Sequence, residues 1–349
     1  MFFFFHLFQY FSDIFGNGIW KELSDLTDQH LLNLSSDLIQ LQMSAKATST
    51  NSKYSSSWES WRSWAKSRSN IVTIPANPLH VALFLTELYL DCVRKGCGPS
   101  IIESTVYAIR WAHCTAGLPS PTDHQIVKSC LEGAKRKLGR PLNPKEPISL
   151  DLVKQLCEHY INSSTLASLR FLVILLLGYA GFLRVDELKS LRCKDISIQD
   201  DYMSVNIAKR KNDQYREGHT ILIAKSGKAT CPVSVVCKLL ENLNGSRGDT
   251  PLIRRIVKTK SNERFHPTYG ISISRIREEF KSHVKPFVDD ISRYSLHSIK
   301  SGAASNAGCR QLNSDLLDRH AGWRCPTSKN KYIKFSNNDL LEVSRSLSI

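Results

Sequence analysis

Towards the C-terminal end of this 349-residue chain stand four side chains whose types could serve one reaction: His297, Lys300, Trp323 and Tyr332. A histidine exchanges protons near neutral pH, a lysine carries positive charge, and a tyrosine offers a phenol that can act as a nucleophile. A free phenol is sluggish at neutral pH, so a neighbouring base and a cationic field must activate it. Each residue taken singly also fits a plain structural role: a buried Trp, a core His, a surface Tyr near a chain end. Their common neighbourhood in the sequence raises the chemical reading.

Local signals suggest how these residues are carried. Ser295 can cap a helix whose first turns hold His297 and Lys300, and the i, i+3 spacing puts both on one face. A second helical run, about Leu312 to His320, leads into Ala321-Gly322-Trp323. Pro326 can open a short last helix carrying Tyr332. Further upstream, an apolar run from Phe171 to Leu183 is bounded by Arg170 and Arg184. It is too short to span a bilayer and fits a buried helix. An arginine directly after such a helix is costly to bury without an anionic partner. Arg184 therefore reads either as a helix-ending arginine paired with Glu187 or as one presented to a phosphate.

The helix before that run starts at Ser149 and continues to about Asn162. After it, period-two stretches at Ile196–Ile198, Tyr202–Ala208 and His219–Ile223 predict strands. The loop between the last two, Lys209 to Gly218, is strongly basic. Helices are expected at Cys231–Asn244 and Tyr269–His283, with a basic run Arg254–Lys260 between them.

The formal charge of +15 and pI near 9.4 favour a polyanionic partner, nucleic acid first. That charge is uneven: residues 1–50 carry a net −3 and the other 299 a net +18. A hydrophobic share of 42% with 23% charged residues says globular. None of the ten cysteines forms a Cys-x-x-Cys pair, so reduced thiols in an intracellular compartment are expected, and no metal site. The aromatic opening, Phe2 to Phe5, lacks a basic n-region and a small-residue cleavage site, so it does not read as a signal peptide. No membrane association is expected.

Residues 1–49 receive no assignment beyond a helical pattern around Asp25–Met43. From Ser55, Trp58, Trp61 and Trp64 recur every third residue with Arg62, Lys66 and Arg68 interleaved, an amphipathic helix burying an aromatic stripe. Runs at Leu79–Lys95, Ser100–Ala116 and Thr122–Lys137 complete a helical domain over residues 50–138. Ser100 and Asp123 serve as candidate N-caps and Gly117 as a C-terminal stop. Residues 139–147 read as a basic, proline-containing linker, and 148–349 as a second domain.

At this point the sequence resembles the tyrosine recombinases, the superfamily of lambda integrase, Cre and Xer. Their motif is His-x-x-Arg, then a His or Trp nine residues before a nucleophilic Tyr, the spacing of Trp323 and Tyr332. Gly181-Phe-Leu-Arg184-Val-Asp-Glu187-Leu188 is similar to their first motif, Gly-x-Arg-x-x-Glu-Leu. The closest look is to eukaryotic mobile-element recombinases of the Crypton and DIRS type. The likeness covers about residues 52–349, including Ala108-Ile-Arg-Trp-Ala-His113 in the helical half.

The resemblance implies a mainly α fold with a small antiparallel sheet, in two domains: a SAM-like core-binding bundle and a mixed α/β catalytic domain. It implies a DNA recombinase, without cofactor, that binds double-stranded DNA, assembles as dimers and tetramers, and cuts through a 3′-phosphotyrosyl intermediate; a nuclear location is expected from the DNA partner and the reduced cysteines. Arg184 becomes a phosphate clamp with Glu187 as its orienting partner. Tyr332 becomes the nucleophile, His297 the base, and Trp323 a phosphate partner. Lys211, or failing it Lys209, becomes the acid. From their basic composition, Lys135, Arg136, Lys137, Arg140, Lys209, Arg210 and the run Arg254–Lys260 are candidate DNA-backbone contacts.

One position departs from the pattern. The family places an arginine where this chain has Lys300, exchanging a planar fork for a point donor on a flexible stem. A slow or inactive enzyme that still binds DNA is the expectation, with His320 and Arg324 as possible compensators. Two other readings stay open: a catalytically silent, domesticated DNA-binding protein on the same fold, and a type IB topoisomerase-like activity.

Overall fold

The computed structural model describes residues 12–141, 144–210, 213, 217–243, 248–259, 262–310, 312–334 and 337–346. The chain falls into two compact units, Met1–Leu142 and Asn143–Ile349.

The first unit is helical. After a 3-10 turn at Gly18–Asp25 come α1 (Gln29–Ser44), α2 (Thr48–Lys66), α3 (Pro78–Lys95), α4 (Ser100–Thr115) and α5 (Gln125–Leu138). The aromatic stripe lies on α2. Trp58 and Trp61 are fully buried, while Trp64, stacked on Trp61 at 5.5 Å, sits at the rim. A three-residue repeat drifts around a 3.6-residue helix, which carries the third ring out of the core. The unassigned N-terminal stretch joins this core through Ile14, Trp20, Ile39 and Met43. Asp13 also pairs with Arg62 at 2.6 Å and with Lys66 at 3.2 Å.

Two expected caps differ. Pro99, not Ser100, precedes α4, and α5 is capped by the His124 ring, which accepts from the Ile126 amide. Gly117 does follow α4 in the left-handed region, at φ +69°.

The second unit is built around α7 (Leu166–Ala180), which follows α6 (Leu150–Tyr160). Ser149 caps α6 by accepting from the Leu152 amide. From Leu169 to Leu177 every residue of α7 is buried, Arg170 included. Arg170 is neutralised by Glu279, to which its Nε donates at 3.0 Å, and its Nη1 donates to the Arg254 carbonyl at 2.6 Å. A buried charge survives only with such a paired and bonded partner.

After α8 (Val185–Ser190), an antiparallel sheet pairs β1 (Ile196–Ile198), β2 (Tyr202–Ile207) and β3 (His219–Ala224) in sequence order. Met203 faces Ile223 and Val205 faces Ile221, so the apolar members of both strands share the core side. Next come α9 (Pro232–Asn242) and a second hairpin, β4 (Arg254–Lys258) with β5 (Glu263–Gly270). Then follow α10 (Ile273–Val284), α11 (Leu296–Cys309), α12 (Ser314–Ala321), α13 (Pro326–Asn330) and α14 (Asn337–Ser346).

The β4–β5 hairpin corrects the expectation of a helix from Tyr269: Tyr269 is on β5 and α10 begins at Ile273. It also corrects the reading of Arg254 as a DNA contact. Arg254 is buried, with Nε donating to the Pro251 carbonyl at 2.8 Å and Nη2 to Thr250 Oγ1 at 2.7 Å. Among the described residues, no helix is long and apolar enough to cross a membrane.

Candidate active site

The second unit brings Arg184, Glu187, Lys300, Trp323 and Tyr332 into one cluster. Arg184 occupies the N-cap of α8, where the chain leaves α7 through Phe182 at φ +49°. Glu187, one turn into α8, accepts from the Arg184 amide at 2.8 Å and from its Nη1 at 3.0 Å. This buried carboxylate fixes both the backbone and the fork of Arg184. The remaining direction of the guanidinium serves the phenol: Nε donates to Tyr332 Oη at 3.2 Å. Burial alone would lower the Arg184 pKa, but the Tyr332 oxygen and Glu187 outweigh it and hold the guanidinium above its ordinary value.

Lys300 projects from α11 and is 1% exposed. Its Nζ lies 5.2 Å from the Tyr332 ring centroid and 5.8 Å from that of Trp323, with no hydrogen-bond partner. Burial, reinforced by the charges of Arg184 and Arg210 and opposed by Glu187, pushes this ammonium down to about 7. Trp323 Nε1 is likewise buried without an acceptor. Two unsatisfied donors beside a phenol call for explanation, since buried polar groups are ordinarily bonded.

Tyr332 stacks on Trp323 at 6.0 Å with the rings inclined by 26°. Its own backbone is held to α11: Ser305 Oγ donates to the Tyr332 carbonyl at 3.4 Å and accepts from the Lys334 amide at 2.8 Å. Helix α13 ends at Asn330, so Tyr332 lies in the turn beyond it and not on a last helix. A further helix, α14, follows.

The other expected residues are placed differently. Lys211 lies outside the described residues. His297 is exposed in the first turn of α11, while Lys300, one turn on, is sealed in. Ser295 does stand at the N-cap, but the bond there runs from its amide to Ser298 Oγ at 3.0 Å.

Neither suggested compensator faces Lys300. His320 Nε2 bonds the Ala180 carbonyl at 2.8 Å, and Arg324 is exposed and paired with Glu217 at 2.6 Å. Arg210, expected on a DNA-facing loop, is 5% exposed and turned inward. Lys209 is exposed. In the first unit Arg136 and Arg140 are exposed, Lys135 pairs with Glu103 and Glu132, and Lys137 lies over Tyr89.

Sequence reasoning missed Ser305 and the inward course of Arg210. The one available sign of the first was a serine five residues after Lys300 on an otherwise Ala-rich face of α11. Among the described residues no group of three or more His, Cys, Asp or Glu side chains is arranged to hold a metal ion.

No protein-family model matches the chain. An integrase/recombinase XerD homologue from Selenomonas ruminantium is 23% identical over 297 residues, covering 84% of this chain and 83% of that protein. Among solved structures, a lambda integrase dimer bound to a COC′ core site aligns with a TM-score of 0.54 at 15% identity, over 88% of this chain and 96% of that one. The Tn1549 transposon integrase in complex with transposon right-end DNA aligns at 0.53 and 12%, over 83% and 98%. XerH recombinase bound to palindromic difH substrate aligns at 0.53 and 12%, over 86% and 78%. In fold, the chain is similar to these two-domain integrases and recombinases.

Proposed function

We propose that this protein is a site-specific recombinase of a mobile element, which cuts and rejoins double-stranded DNA through Tyr332. The observation that carries the reading is the bond from Arg184 Nε to the Tyr332 oxygen beside the unpartnered, buried Nζ of Lys300. In the proposed step the Tyr332 hydroxyl gives up its proton and its oxygen bonds to phosphorus. The bond from phosphorus to the 5′-oxygen breaks, and that oxygen takes a proton. The DNA is left as a 3′-phosphotyrosyl ester, and reversal with a second 5′-hydroxyl rejoins it.

Arg184, Lys300 and Trp323 Nε1 supply the donors for the phosphorane charge. His297 is the candidate base and Lys211 the candidate acid. Exposed Arg136, Arg140 and Lys209 are candidate backbone contacts, which position DNA without reading it. Assembly on DNA as pairs of dimers and a nuclear location belong to the same proposal. The test is strand exchange between two duplexes carrying the element's own ends. Exchange that needs both sites supports a recombinase, whereas relaxation of a supercoiled circle without any site requirement points to topoisomerase-like activity.

One observation favours a second reading. A lysine pushed down to about 7 is a weaker and less constant cation than an arginine. That favours a protein that binds DNA on this fold and cuts it slowly or not at all. Salt-sensitive DNA binding with no strand exchange, unchanged by Lys300→Arg, is the result that selects it.

A further inference from the structure

Arg210 lies just past β2 in a run of basic residues, yet its guanidinium is driven into the protein. Nη1 donates to the Ala321 carbonyl and Nη2 to the His320 carbonyl at 3.5 Å. These are among the last carbonyls of α12, which have no partner within the helix and stand at the negative end of its dipole. The next residue, Gly322, closes α12 in the left-handed conformation at φ +66°. A Cβ at Gly322 would fall 1.8 Å from Arg210 Nη1, so the guanidinium fills the space that the missing side chain leaves. Gly322 leads directly to Trp323, which stacks on Tyr332 and meets Phe182 edge-on at 5.9 Å.

The same hairpin reaches this turn a second time, through the 2.6 Å ion pair of Glu217 with Arg324. The base of the loop is closed by Asp213. Its carboxylate accepts from the amides of Glu217 at 2.9 Å and Gly218 at 3.0 Å, and its own amide donates to the Arg210 carbonyl at 3.0 Å. A buried guanidinium bonded to carbonyls instead of a carboxylate is a costly anchor for a turn. Glu187 is the carboxylate whose charge offsets that cost in part.

We propose that Arg210 is a positioning residue for Tyr332. It pins the Gly322–Trp323 turn to the end of β2, and through the Trp323 ring it sets the surface on which the nucleophilic phenol rests. This inference rests on the recombinase reading for its catalytic consequence, but not for the contact itself.

The test has two arms on the full chain. In the first, amide hydrogen exchange is compared between wild type and Arg210→Ala. Loss of protection over residues 318–334, with α7 unchanged, supports the proposal. Unchanged protection, or loss spread across the whole second unit, overturns it.

In the second arm, covalent adduct formation is timed with saturating nicked duplex. Arg210→Ala is expected to slow it by roughly 10–100-fold with DNA affinity unchanged, as misplacing a reacting group does. Arg210→Lys recovers part of the rate. Combined with Trp323→Phe, the loss is expected to be no larger than that of the slower single variant, because both act through one ring. Losses that multiply overturn the proposal. If neither the wild type nor Lys300→Arg forms an adduct, the recombinase reading falls, and the exchange arm still decides whether Arg210 holds the turn.

Discussion

Arg184 Nε and the phenolic oxygen of Tyr332 stand 3.2 Å apart, joined across 148 residues of chain. The bond makes the tyrosine oxygen an acceptor before any DNA is present and aims it at the one guanidinium that Glu187 holds rigid. Of its two terminal nitrogens Nη1 is held by Glu187, so the guanidinium that meets the phenol is oriented by the carboxylate.

Arg184→Lys is expected to lower DNA cleavage by about 10²-fold, since one point donor replaces a fork. The bond between Glu187 and the residue-184 amide survives the change, so the thermal melting curve of the variant is expected to match that of the wild type. Single-turnover cleavage and a melting curve measure the two effects separately.

Lys300 gives a pH dependence with a definite sign. Its folded-state pKa is lowered from 10.5 to about 7, mainly by burial. If its charge steadies the phosphorane, cleavage falls as pH rises through about 7, and Lys300→Arg extends the active range upwards while raising the rate by roughly 10²–10³-fold. Stability runs the other way. The unfolded chain binds the proton more tightly between about 7 and 10.5, so the burial penalty is full below that window and gone above it. Urea midpoints are expected to rise with pH across it, and Lys300→Met is expected to flatten that rise.

In the first unit, His113 is fully buried and neutral. Its Nε2 accepts from the Ala76 amide at 2.9 Å, and Nδ1 bonds the Ile109 carbonyl at 2.8 Å. Burial holds its pKa below the ordinary 6.5. The unfolded state therefore takes up a proton first, and stability is lost as pH falls below 6.5. Tryptophan fluorescence is the natural probe, because Trp58 lies 6.4 Å from the His113 ring. His113→Gln is expected to unfold more easily at pH 7.5 but to lose this acid slope.

Gly302, two residues beyond Lys300, is where α11 passes the start of α6. A Cβ there would come within 2.0 Å of the Ile148 carbonyl oxygen, and backbone cannot yield as a side chain does. Gly302→Ala is expected to cost about 3 kcal/mol or more, measured by urea unfolding of the second unit.

Much of this was legible in the sequence because the deciding signals are local. The alternation in β2, the serine before α6 and the tryptophan spacing on α2 each follow from a few neighbouring residues. Arg184 and Glu187 were readable because their pairing spans one helical turn.

Arg210 was not readable. Its burial depends on carbonyls 110 residues away, and a cation in a basic run ordinarily faces water. The β4–β5 hairpin escaped for a related reason: Arg255 and Lys258 mask the apolar alternation, and Arg254 is buried by bonds that composition does not show. The departure at Lys300 was visible at once. Its complete burial without a partner emerged only from the packing of α11 against Trp323 and Tyr332.

Trapping a covalent joint between Tyr332 and DNA decides between the recombinase and its catalytically silent alternative. Protein is incubated at pH 6.5 with nicked duplexes from its own element's ends, denatured, digested and analysed by mass spectrometry, beside Tyr332→Phe. The account predicts a 3′-phosphonucleotide on the peptide containing Tyr332, a free 5′-hydroxyl on the released strand, and no adduct in the variant. An adduct that persists in Tyr332→Phe, or none at any site even with Lys300→Arg, would contradict it.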